Sequence, residues 1–128
     1  MTSYSLEKHW NLLFTRCAVK GSQGVITLRL LIDTGSTYTI LPVEALESIG
    51  LNPASSKDKV RITTASGFLV APRIKVNELC IFGKVMKNFS VVCYTLPEGL
   101  FADGLVGMDL LTEMETVIDI KTGKIQIV

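Results

Sequence analysis

From Leu12 to its end, the chain is dominated by short runs in which apolar and polar positions alternate, a period of two that sets one face of each run against a core. The pattern predicts a mostly β protein. Leu12 to Lys20 and Val25 to Ile32 read as strands joined by Gly21-Ser22-Gln23-Gly24, a link of hairpin size. Val60 to Thr64 and Phe68 to Ala71 flank Ala65-Ser66-Gly67, whose small residues suit a tight turn. Further strands are expected over Arg73 to Val76, Leu79 to Phe82 and Phe89 to Tyr94, with breaks near Asn77 and Gly83. A closing hairpin pairs Val117 to Ile120 with Lys124 to Val128 over Thr122-Gly123. Two short helices interrupt this order. Pro42 at a first helical position, Val43, Leu46 and Ile49 on one face and Gly50 past the end mark the first, with Leu51 meeting Leu46 across the glycine. Asp109 is expected to cap the second, its carboxylate accepting the amides of Leu111 or Thr112, in a helix running to Met114 or Glu115.

Length changes the picture little: 128 residues fit one domain over 1–128, with residues 1–10 expected to be a flexible lead-in. Charge excludes more. Thirteen Lys and Arg against twelve Asp and Glu leave +1, with the basic residues scattered, so no nucleic-acid partner is expected. No apolar stretch approaches a membrane span, the best candidate, Val25 to Ile32, being short and carrying Arg29. The first ten residues lack the basic-then-apolar layout of a signal peptide, so a soluble, unexported protein with no membrane partner is expected. Cys17, Cys80 and Cys93 are odd in number and sit in strand-like runs, as buried thiols in a reducing cytoplasm would. At 48% hydrophobic the chain is slightly apolar for a monomer, which leaves surface for an interface. The single histidine, His9, lies in the lead-in, a poor place for a Ser-His or Cys-His base, and with the cysteines it shows none of the short paired spacing of a zinc site.

One segment carries chemistry. Leu31-Ile32-Asp33-Thr34-Gly35-Ser36-Thr37 places an ionisable residue at the end of an apolar strand, followed by a turn. As ordinary structure this is an Asx-type turn. As chemistry, Asp33 brings a carboxylate, Gly35 lets a backbone amide approach it without a Cβ in the way, and Ser36 offers a hydroxyl donor to it. Thr34 is expected to hold a neighbouring turn by its own hydroxyl.

These residues resemble the retropepsin-like aspartic proteases, single-domain relatives of pepsin that act as homodimers. The resemblance extends over the flanking strands, the hairpin at Thr64-Ala65-Ser66-Gly67 where the family has its flap, and Gly104-Leu105-Val106-Gly107-Met108-Asp109-Leu110-Leu111, which matches the family's second motif of two apolar residues, glycine and helix. It implies an all-β, closed acid-protease barrel with one or two short helices. It implies a catalytic Asp33 in an active-site loop with Thr34, Gly35 and Ser36, and hydrolysis of polypeptide substrates by a carboxylate-activated water with no metal and no cofactor. Ala65, Ser66, Gly67 and Phe68 would close over an extended peptide, although strand alternation lets only one of Phe68 and Leu69 face inward. Val106, Gly107 and Asp109 read as support beneath the loop, with Val106 and Leu110 in the core.

The chain carries the triplet once; Asp58, Asp103, Asp109 and Asp119 lack a following Thr-Gly. Because the class needs two facing carboxylates, a two-fold homodimer is expected to bring two copies of Asp33 together. There are departures. Retroviral members usually carry Arg directly after the second-motif glycine and an Asp shortly after the triplet, whereas this chain has Met108 and no acid among Thr37, Tyr38 and Thr39. The retroviral ion-pair brace is therefore expected to be missing, and the resemblance is to the cellular and bacterial branch. The rival reading is a non-catalytic module of the same fold that dimerises or binds peptides, which could do without the Asp33 carboxylate.

Overall fold

The computed structural model describes residues 1–64 and 66–128. In chain order the strands and helices are β1 (Thr2–Ser5), β2 (Glu7–His9), β3 (Leu12–Gly21), β4 (Gly24–Ile32), β5 (Ile40–Leu41), α1 (Val43–Ser48), β6 (Lys59–Thr64), β7 (Gly67–Ile81), β8 (Lys84–Cys93), β9 (Gly104–Val106), α2 (Met108–Glu113), β10 (Val117–Asp119) and β11 (Lys124–Ile127). Eight strands form one sheet in the order β2-β3-β4-β9-β5-β8-β7-β6. A further ladder, Ala18–Lys20 against Glu78–Cys80, joins β3 back to β7 and closes a ring over three residue pairs. The mostly β expectation with two short helices holds, and the barrel closure is partial.

Residues 1–10, expected as a loose lead-in, are built into both sheets. Thr2 to Ser5 pair with Ile127 to Lys124, making β11 the centre of a three-stranded sheet between β1 and β10. Glu7 to His9 pair with Phe14 to Leu12 across a Trp10-Asn11 turn in which both residues take positive φ. The sequence hid this because the turn lacks the glycine that usually signals one.

The break expected near Asn77 is absent. β7 runs unbroken for 15 residues and changes partner instead: Lys59↔Pro72 is the last pair with β6, and Arg73↔Val92 begins the ladder with β8. Pro72, which has no N–H to give a ladder, sits at that exchange. Opposite Asn77 lies Asn88, with φ at 53°, and pairing lapses there for one position only. The expected break at Gly83 is real, since Phe82 and Gly83 form a turn with φ at 49° and 68°.

Helix α1 stops as expected: Gly50 takes φ of 88° and Leu51 N donates to Leu46 O at 3.1 Å, closing the glycine cap. Pro42 stands one place earlier than expected, as the residue preceding the first helical position. The core has two parts. The larger gathers Leu30, Leu41, Leu46, Leu79, Leu110 and Ile125; the smaller, Phe14, Leu31, Ile40, Ala71, Val92 and Leu105, has Ile62, Leu69 and Leu96 packed against it.

All three thiols are free. Burial disfavours the thiolate and pushes Cys17 up to about 12 and Cys93 up to about 11. Native protein treated with iodoacetamide at pH 8 is therefore expected to label at Cys80 alone and at all three positions after unfolding, as peptide mass spectrometry would read. Unfolded thiols ionise at about 8.5 while the folded pair stay protonated, so stability is expected to fall as pH rises past that value.

Candidate active site

Strand β4 delivers Asp33. Its last residue, Ile32, lies beside Val106 of the parallel β9, and Asp33 N donates to Val106 O at 3.0 Å, so the second motif fixes where the loop leaves the sheet. Asp33 Oδ1 accepts the Gly35 amide at 3.0 Å, and the loop closes through Ser36 N to Asp33 O at 3.1 Å. A Cβ on Gly35 would stand 3.3 Å from that same carboxylate oxygen, so glycine at this position serves the close approach expected of it. Asp33 Oδ2 accepts no hydrogen bond among the described residues.

Two neighbours behave differently from expectation. The Ser36 hydroxyl turns away from Asp33 and donates to Tyr38 O at 2.7 Å, bracing the loop rather than the carboxylate. Thr34 is exposed and makes no side-chain hydrogen bond among the described residues, so it holds no turn of its own chain.

Asp109 is the larger correction. It is the second residue of α2 rather than its cap; the position before the helix is Gly107 and has no side-chain cap, and the helix ends at Glu113, with Met114 as its C-terminal cap. Its carboxylate reaches across to the loop that follows Asp33, Oδ2 accepting Thr39 N at 3.0 Å and Oδ1 accepting Thr39 Oγ1 at 2.7 Å and Leu110 N at 2.7 Å. Thr39, a fully buried polar residue, accepts Gly107 N on its hydroxyl at 3.1 Å. Met108 N to Ser36 O at 2.7 Å and Asp109 N to Thr37 O at 3.2 Å complete the seam. Loop and helix are thus one hydrogen-bonded unit, and Val106, with no exposure, lies beneath it.

Asp33, Gly35 and Ser36 line a cleft of about 400 Å³, with Ile62, Thr63 and Leu69 of the β6–β7 hairpin on its other side. The hairpin is pinned at its root, where Arg73 N donates to Asp58 O and Arg73 Nε to Asp58 Oδ2, both at 2.8 Å. Leu69 faces the cleft and Phe68 does not: Phe68 is 58% exposed with the Arg61 guanidinium 3.6 Å from its ring centroid. Alternation along β7 decides between them, since Ile62 and Leu69 are a registered pair on the inner face. Ser66 and Gly67 stand exposed at the tip, Gly67 with φ of 136° and open space around it, and the Ala65 expected with them lies outside the described residues.

Sequence reasoning missed Tyr38, Ile40, Tyr94, Leu96 and Leu105 as cleft residues. Leu105 had a signal, being the apolar neighbour of Val106 in the second motif and the partner of Leu31. Tyr94 and Leu96 had none, since they come from the loop after β8. A larger depression of about 650 Å³ lies on the other side of Tyr38, between β8 and α2, but it does not include Asp33 and meets the hairpin only at its root, through Arg73, so size does not make it the site. Among the described residues, no cluster of His, Cys, Asp and Glu is arranged to hold a metal, and no helix is long and apolar enough to cross a membrane.

The model of a family described as aspartyl protease matches residues 16–110, from within β3 through the second motif. The chain belongs to the aspartyl protease family. A curated relative from Sinorhizobium sp, an uncharacterized protein in the cobV 5' region, is 27% identical over 100 residues; these are 78% of this chain but 42% of the relative, so the chain spans less than half of that protein's length. Among solved structures, a retropepsin-like aspartic protease from Rickettsia conorii superposes with a TM-score of 0.72 at 20% identity, over 97% of this chain and 88% of that one. EIAV protease in complex with the inhibitor HBY-793 gives 0.63 at 18% identity over 88% and 93%. The retroviral protease-like domain of Ddi1 from Leishmania major gives 0.60 at 14% over 91% and 87%. This member of the aspartyl protease family therefore has the retropepsin-like fold expected from its motifs.

Proposed function

We propose that the protein is a homodimeric aspartic endopeptidase in which Asp33 and the partner's Asp33 activate one water. The observation that carries this is the cleft itself: among the described residues lining it, Asp33 is the only acid, and its Oδ2 is left without a donor. A single carboxylate can act as base or as acid, and peptide hydrolysis by this route needs both at once. A two-fold axis beside Asp33 supplies the second.

Like charges so close cannot both be ionised, so the pair holds one proton between them. The ionised carboxylate takes a proton from water as its oxygen bonds to the peptide carbonyl carbon. The protonated carboxyl gives its proton to the carbonyl oxygen, forming a tetrahedral diol. Proton transfer to the nitrogen then lets the C–N bond break, leaving a carboxylic acid and an amine, with no covalent enzyme intermediate. The roles of the other residues follow. Gly35 N–H orients Asp33, the Ser66-Gly67 tip closes over an extended peptide and gives it main-chain hydrogen bonds, and Ile62, Leu69, Leu96 and Leu105 present apolar walls to its side chains.

The test is cleavage of a mixed peptide library from acidic to neutral pH over a range of protein concentrations. Cleavage whose rate per chain rises with concentration, levelling off as the dimer fills, is the expected result. Peptide binding without cleavage at any pH, in protein shown to be dimeric, would establish the non-catalytic module instead.

A further inference from the structure

The loop between β8 and β9, residues 94–103, walls the cleft with Tyr94 and Leu96 and is tethered at both ends. Tyr94 N donates to Leu41 O at 3.0 Å; Asp103 N donates to Arg29 O and Arg29 N to Asp103 Oδ2, both at 2.8 Å. Its middle stands off the barrel. A Cβ on Gly99 would meet nothing within 4 Å, and Phe101 is 60% exposed. Among the described residues, one hydrogen bond ties positions 95–102 to the rest of the fold: Arg29 Nη1 donates to Phe101 O at 2.8 Å. Phe101 sits there with φ of 55°, in the left-handed region that a bulky side chain adopts only where its surroundings hold it.

Two groups do the holding. Arg29, on β4 ahead of Asp33, lies with its guanidinium 4.0 Å from the centroid of the buried Phe14 ring and with Nη2 3.5 Å from Glu7 Oε2. Set against a ring and facing a carboxylate, the planar group keeps its donors in one direction. Trp10, in the turn between β2 and β3, meets the side chain: its ring lies 5.1 Å from that of Phe101, at 34°. We propose that Arg29 and Trp10 are positioning residues for peptide binding, which hold Phe101 by its carbonyl and its ring and thereby keep Leu96 a fixed wall of the cleft. The inference rests on the reading of that cleft as a peptidase site. Asp33 is anchored separately, through Val106 O, so loosening Phe101 leaves the carboxylate in place. What is lost is the wall, which a peptide must then order as it binds. That cost bears equally on bound substrate and transition state, so KM rises while kcat holds.

The experiment uses the full chain and the peptide cleaved fastest from the mixed library. Arg29→Met, which keeps an unbranched stem over Phe14, is expected to raise KM about ten-fold with kcat within about two-fold. Trp10→Asn removes the ring, and asparagine accepts the φ of 52° at this exposed turn. It is expected to raise KM about three-fold, and Trp10→Phe, which keeps a ring, to recover most of that loss. Trp10 is the single tryptophan, so its one indole N–H proton resonance reports the neighbouring Phe101 ring. Arg29→Met is expected to move that resonance as Phe101→Asn does, since both take the ring away. Unchanged KM in folded Arg29→Met, or a kcat that falls as far as KM rises, overturns the positioning role. So does an indole resonance that Phe101→Asn moves and Arg29→Met does not. If Arg29→Met fails to fold, the exposed Trp10 position decides, and a KM unchanged in Trp10→Asn overturns the proposal. If wild type cleaves no peptide, the endopeptidase reading falls by itself, and the indole resonance still shows whether Arg29 holds the loop.

Discussion

Asp33→Asn is expected to lose at least about 1,000-fold in peptide hydrolysis while folding as the wild type does, because removing the base from a reaction that depends on proton transfer has an effect of that order. The substitution is nearly isosteric, and the asparagine carbonyl oxygen can still accept the Gly35 amide that Oδ1 now accepts at 3.0 Å. The loop should therefore keep its shape, and thermal melts should superpose. A sharper form of the experiment mixes variant and wild type before assay. If each site needs a carboxylate from both protomers, activity follows the square of the wild-type fraction, so an equal mixture retains about one quarter. A site complete within one chain would retain half. The shape of that curve separates the two-fold site from an accessory carboxylate.

Asp33 was legible as a candidate because a carboxylate at the end of the apolar run Leu30 to Ile32 has few structural uses, and because Gly35 follows at the distance a close approach requires. The hairpins were legible for a similar local reason. In β3–β4 and β6–β7, turn residues and period-two alternation agree within one short window, so nothing distant was needed to read them. What could not be read locally is what the sheet brings together. β5 and β9, two and three residues long, carry too few positions for any period, yet β9 pairs in parallel with β4 and positions Asp33. Asp109 was misread for the same reason: at the start of α2 its sequence context is that of a cap, and only the fold puts Thr39, 70 residues away, within its reach. Phe68 and Leu69 show the boundary. The alternation rule said that one of them faces the cleft, and the register with Ile62 was needed to say which.

Gly107→Ala is expected to destabilise the protein by about 3 kcal/mol or more and to take activity with it. A Cβ built on Gly107 would overlap the Tyr38 carbonyl carbon and oxygen and stand 2.9 Å from Thr39 N. These are backbone atoms, so no side chain can rotate out of the way. Moving the Tyr38-Thr39 backbone would break Thr39 N and Thr39 Oγ1 from Asp109, and moving Gly107 would break its own amide from Thr39 Oγ1 at 3.1 Å. Either path leaves buried polar groups unpaired, at about 1–3 kcal/mol each. The strain lands on the segment that holds Asp33, because Met108 N and Asp33 N anchor the loop on either side of Gly107. Gly99→Ala is the control: nothing lies within 4 Å of its added Cβ, so its effect should stay within about 0.5 kcal/mol. Urea unfolding of both variants at equal dimer occupancy would check this. If Gly107→Ala unfolds at the wild-type midpoint, α2 and the active-site loop are free to separate, and the seam through Thr39 and Asp109 is not what fixes the carboxylate.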